Sequence, residues 1–205
     1  MTPALQVHHA VSAAGQRVAE ALVDDFAQAR ELIAAANEAG AALAWAHSAA
    51  DLSALGFRPV PGYRRLAGRA RQTPLAHGVS VLTATEDSAE LCAAAYRGQF
   101  GHKTPDTWPV DEFAGTTALG LRAGGRIVGI CRIGPAAGYI DAPGLVPGHR
   151  DPTGYRMLLS AALATAGTGQ VTVESWGDEP DRVTVCTELG LATVEYTPGW
   201  ELDLA

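Results

Sequence analysis

The sequence predicts an α/β protein built on a mixed sheet, with a partial αβαβ unit preceding a complete α/β unit. Three observations predict this. The β-prone runs Thr117–Ala123 and Arg126–Ile133 flank Gly124-Gly125, a two-residue hairpin signal. From Pro152 onward helix and strand patterns alternate, which brings strands in parallel. The segment before residue 67 also carries the same punctuation as the C-terminal end.

Taken in order, Ser12 to Ala39 reads as helix, with Val18, Leu22, Phe26 and Ala29 at three- and four-residue intervals and Gly40 as its stop. Ala41 to Ala46 suits a short buried strand, and Asp51 to Leu55 a turn or two of helix ended by Gly56. Arg58 to Leu66 holds Pro59, Pro61 and Gly62, which predict a turn between two strands. Residues 67–77 are polar, basic and short of large apolar groups, as a linker would be. Val79 to Thr85 is a strand, and Ser88 caps a helix running to about Phe100. Gly101 to Phe113 is a loop. After the hairpin comes Tyr139 to Val146, a strand that Pro143 and Gly144 must break with a bulge or leave at an edge. Pro152 to Ala166 is a helix whose stripe is Tyr155, Leu158, Leu159, Ala162 and Leu163. Val171 to Trp176 is a strand, Pro180 to Leu189 a helix stopped by Gly190, and Ala192 to Leu204 two strands around Thr197-Pro198-Gly199.

Composition removes several functions. The chain has 205 residues, 47% of them hydrophobic, and a net charge of −7. A general nucleic-acid binder needs a basic surface to displace counterions, and an anionic membrane attracts the same charge. Neither partner is expected. The cysteines Cys92, Cys131 and Cys186 are far apart, and no CxxC or CxxH pair accompanies them, so no metal site is expected. Reduced thiols, no secretory leader and no 18-residue apolar run predict a cytoplasmic protein.

The repeat is textual. Trp45, Leu55-Gly56-Phe57, Pro61-Gly62-Tyr63 and Leu66 are echoed by Trp176, Leu189-Gly190-Leu191, Pro198-Gly199-Trp200 and Leu202. As a duplication, it makes 1–66 a degenerate half-domain joined by linker 67–77 to a complete domain, 78–205.

Residues 78–205 resemble the GNAT superfamily of acyl-CoA-dependent N-acetyltransferases. The likeness rests on the Gly124-Gly125 hairpin, the strand ending Leu145-Val146-Pro147, the Arg150 loop opening a helix with Leu158-Leu159, and the late helix closing in Leu189-Gly190-Leu191. The family ending is Leu-Gly-Phe followed by a β-hairpin. A half-domain before a complete one is similar to tandem GNAT proteins.

The resemblance implies an acetyl-CoA co-substrate, a splayed strand at Leu145 and Val146 that grips the pantetheine arm, and a primary-amine acceptor on a small molecule or peptide. The diphosphate is expected on the loop Arg150, Thr153, Gly154 and Tyr155, at a helix N-terminus whose amides lack partners. That loop departs from the family pattern Gln/Arg-x-x-Gly-x-Gly/Ala. Thr153 and Tyr155 stand at its glycine positions, Asp151 adds negative charge and Pro152 removes a donor.

The general base would be Asp141 or Glu174, on strands that flank the splay. Cys186 holds the place of the family's tyrosine acid, with packing in the core as its other reading. His102 and Trp108 would touch the acceptor. A catalytically silent GNAT-fold binding or oligomerisation module, with a homodimer as one form, is the competing function. A regulatory partner of the toxin-antitoxin kind is a weaker third.

Overall fold

The computed structural model describes residues 4–11, 15–70, 77–83, 95, 115–134, 138–167, 169–176 and 180–204. His102, Trp108, the helix expected from Ser88, and linker residues 71–76 lie outside them. Among the described residues, eleven strands form one sheet. They are β1 (His8–Val11), β2 (Arg17–Leu22), β3 (Leu43–His47), β4 (Arg58–Arg69), β5 (Val79–Val81), β6 (Thr117–Ala123), β7 (Arg126–Ile133), β8 (Tyr139–Asp141), β9 (Gly144–Leu145), β10 (Gln170–Trp176) and β11 (Ala192–Asp203). The spatial order is β1-β2-β3-β11-β4-β10-β8-β7-β6-β5, and β9 pairs with β7 off that path. Helices α1 (Phe26–Glu38), α2 (Pro152–Thr165) and α3 (Pro180–Glu188) pack on it.

Three elements differ from the sequence reading. The helix expected over Ser12 to Ala39 is a strand, β2, followed by α1. Alanine-rich text suits either state; here Val18, Ala19 and Ala21 are buried on both faces of the sheet, and helical spacing mistook this two-sided burial for one stripe. Asp25 starts α1 by accepting the Gln28 N–H at 2.9 Å, while Gln28 Oε1 accepts the Asp24 N–H at 2.7 Å.

Arg58 to Leu66 contains no turn. β4 runs unbroken to Arg69, so the first three linker residues are strand. Its prolines are tolerated because β10 pairs only with Tyr63 through Arg69, leaving Pro59 and Pro61 past its end.

The C-terminal pair of strands is likewise one strand, β11. Instead of turning back at Pro198, it pairs with β4 and, from Gly199, with β3, so the hairpin implied by the family ending does not form. Gly62 and Gly199 mark the irregularity between β4 and β11. A Cβ on Gly62 would collide with the Thr197 carbonyl oxygen, and one on Gly199 would lie 2.6 Å from that of Pro61.

Other expectations hold. Gly124 and Gly125 both adopt positive φ, +55° and +77°, as a two-residue hairpin turn requires. Every residue of the α2 stripe is buried, packed with Ile140, Val171 and Val173 of the sheet. Leu55-Gly56-Phe57 and Leu189-Gly190-Leu191 end their helical turns alike, with left-handed glycines (φ +87° and +86°) followed by buried Phe57 and Leu191. A smaller core joins α1 to Ala19, Ala21, Ala44, Ala46 and Phe57.

Candidate functional site

The site grows from one interruption. β8 and β10 run parallel through Tyr139↔Thr172, Ile140↔Val173 and Asp141↔Glu174, and the Ala142 N–H reaches the Glu174 carbonyl at 2.9 Å. Pro143, without an N–H, cannot continue that ladder. The chain shifts toward β7, where Gly144 and Leu145 pair with Ile130 and Gly129 and the Val146 N–H bonds the Val128 carbonyl at 2.9 Å. β10 continues to Trp176 without β9 beside it. Because Val146 spends its main-chain bonds on β7, antiparallel alternation turns those of Leu145 toward the side that β10 has left.

Side chains also alternate across the sheet. Ile140 and Val173 enter the core beneath α2, so Tyr139, Asp141 and Glu174 lie on the opposite face. There the Tyr139 hydroxyl donates to Glu174 Oε2 at 3.2 Å and also bonds Asp141. The Tyr63 hydroxyl of β4 bonds Glu174 as well. Burial, reinforced by these carboxylates, pushes both phenols well above the usual tyrosine range, so both remain proton donors at neutral pH. Asp141 and Glu174 are half-buried neighbours at the point where the strands part. When ionised, such carboxylates are acceptor-only groups suited to binding an ammonium and taking its proton.

Cys186 lies elsewhere. It is fully buried in the core beneath the sheet, and burial pushes its thiol up to about 12. Its surroundings in the core suit the packing reading, since burial keeps the thiol neutral. Cys131 is likewise buried and raised by burial, and its thiol donates to the Asp141 carbonyl at 3.3 Å. Sequence reasoning missed Tyr139 and Tyr63. Tyr139 was findable, since it stands two residues before Asp141 on one strand and so shares its face. Tyr63 arrives only through the long-range β4–β10 pairing.

The two halves of a CoA thioester fit this chain differently. The Leu145 main chain faces the side that β10 has left, and there its carbonyl accepts from Arg150 Nε at 3.1 Å. The start of α2 does not fit a diphosphate. Asp151 is its N-cap, and Asp151 Oδ1 accepts the Gly154 N–H at 2.8 Å. Gly154 is buried, and a Cβ there would lie 2.9 Å from Leu145 Cδ1, so the glycine serves helix–strand packing rather than approach to a ligand. The side chain of Tyr155 is in the core, and that of Thr153 is exposed.

This architecture is shared with solved structures. A GCN5-related N-acetyltransferase from Kribbella flavida superposes with a TM-score of 0.51 at 19% identity, covering 92% of this chain and 82% of that one. One from Sphaerobacter thermophilus gives 0.57 at 14% identity, over 98% and 76%. The chain has the GNAT acyltransferase fold. A tandem GNAT protein from the clavulanic acid biosynthesis pathway also superposes, with a TM-score of 0.50 at 13% identity over 93% of this chain and 78% of that one. No protein-family model and no curated protein matches the sequence. On this GNAT fold, no group of three His, Cys, Asp or Glu side chains able to hold a metal occurs among the described residues, and no helix among them is long and apolar enough to cross a membrane.

Proposed function

We propose that the protein transfers an acyl group, acetyl in the simplest case, from a pantetheine thioester such as acetyl-CoA to a primary amine of a small molecule or peptide. The reading is carried by the Asp141–Glu174 pair at the mouth of the strand splay. Glu174, held by the Tyr139 and Tyr63 hydroxyls, takes a proton from the bound ammonium, while Asp141 supplies the second negative charge that favours a cationic acceptor. The freed amine attacks the thioester carbonyl directly in a ternary complex. A C–N bond forms, the C–S bond breaks, and the surplus proton on the newly bonded nitrogen passes through solvent to the leaving thiolate, giving a neutral amide and a free thiol. A main-chain N–H at the splayed edge stabilises the oxyanion that develops between these events. The net charge of −7 steers cationic acceptors toward the protein. His102 and Trp108 belong to the acceptor side of this reading.

A cytoplasmic location, no nucleic-acid or membrane partner, and a homodimer as one assembly complete the proposal. We further read residues 1–66 as a partial copy of the C-terminal unit. The order β2-β3-β11-β4-β10-β8 supports this, since exchanging the two halves leaves it unchanged.

The test is thiol release from acetyl-CoA across a panel of polyamines, aminoglycosides and peptide N-termini. Turnover that Glu174→Gln abolishes without loss of folding supports the proposal. Folded protein that acetylates none of them points to the second reading, a silent binding module, which the internally capped start of α2 favours.

A further inference from the structure

A GNAT fold implies a diphosphate at the start of the helix after the splay, and the residues standing there disagree. Of the first four residues of α2, Pro152 has no N–H, Gly154 donates to Asp151 Oδ1 at 2.8 Å, and Tyr155 donates to the Asp151 carbonyl at 3.3 Å. The anion that a helix N-terminus attracts is thus already present, covalently attached and one residue outside the helix. The neighbouring cations do not reverse this. Arg150 turns its Nε to the Leu145 carbonyl, and Arg156, one turn into the helix, is ion-paired with Glu188. Gly154, in the first turn of the helix, is committed to packing against Leu145, while Gly148 stands in the open part of the loop, four residues before Pro152.

We propose that Asp151 is a built-in competitor for the donor's diphosphate, so that the donor is recognised through its pantetheine arm and the nucleotide end adds nothing to affinity. This rests on the acyl-transfer reading above. It makes short pantetheine thioesters donors equal to acetyl-CoA, and it names Asp151 as the residue that sets this preference.

The experiment compares binding of acetyl-CoA and acetyl-pantetheine to the full chain by calorimetry, for the wild type, Asp151→Asn and Asp151→Gly. Asparagine keeps an acceptor for the Gly154 N–H and drops the charge, and glycine, itself an acceptable N-cap, empties the position. Circular dichroism and melting temperature report folding, and the asparagine variant keeps the test alive should the glycine variant unfold. In the wild type the two compounds bind within about threefold of each other, whereas in Asp151→Gly acetyl-CoA binds at least about tenfold tighter, with Asp151→Asn between. A wild type that already favours acetyl-CoA tenfold overturns the inference, as does a ratio unmoved by both variants. Acetyl-pantetheine affinity judges the acyl-transfer reading separately: if neither compound binds any form, that reading falls and the inference falls with it.

Discussion

The two halves of the sheet use the same pattern, a pair of parallel strands joined by a helix, and differ in whether the pair stays closed. β2 and β3 remain in register from Val18↔Leu43 to Leu22↔His47, and the Val23 N–H continues to the His47 carbonyl. β8 and β10 share three registers and then part at Pro143. On one face, the closed half carries Val18 and Leu43 and the buried pair Glu20–His47, 2.9 Å apart, with Trp45 stacked on His47. The open half carries two half-buried carboxylates with phenols donating to one of them. A missing N–H, followed by a shift to another partner, is enough to part a strand pair that would otherwise stay in register.

The largest expected effect tests that contrast directly. Glu174→Gln keeps an acceptor for Tyr139 and should lower kcat at least about a hundredfold with the melting temperature little changed. Leu43→Ala in the closed half should instead lower stability by about 2 to 5 kcal/mol in urea unfolding.

Acid sensitivity should sit in the closed half. Burial lowers His47 from 6.5 to about 4, so the unfolded chain binds a proton that the folded chain refuses. Stability should therefore fall as pH drops from 6.5 toward 4 and level off below. The loss is at most about 3 kcal/mol, and His47→Gln should flatten this part of the profile.

Gly154→Ala presses a methyl against Leu145 and should cost about 1 to 3 kcal/mol of stability, whatever the ligand concentration. The smallest effect belongs to Cys186→Ala, with turnover nearly intact and stability lowered by about 1 kcal/mol. A hundredfold fall in kcat there, with stability unchanged, would return the thiol to the chemistry.

Legibility followed the range of the forces involved. The Gly124-Gly125 turn, the α2 stripe and the two left-handed glycines are decided within a few residues, and the text shows them. β2, β4 and β11 are decided by neighbours far along the chain. Flanking strands make Val18 to Ala21 a strand, β10 ends before Pro59 and Pro61, and β4 and β3 receive β11 in place of a hairpin. Asp141 and Glu174 could be chosen from their places on strands, but the bond between Glu174 and Tyr63 could not. The capping oxygen of Asp151 was visible as a charge in the wrong place, and its acceptance of the Gly154 N–H required coordinates.

β4 lies between β10 and β11, although it comes from the first third of the chain. Truncating the protein before residue 78 would therefore not liberate an autonomous catalytic piece. It would expose raw edges along the middle of the sheet, where self-association begins. Conversely, a backbone severed between Ala70 and His77 should leave two fragments clasped together, melting as one.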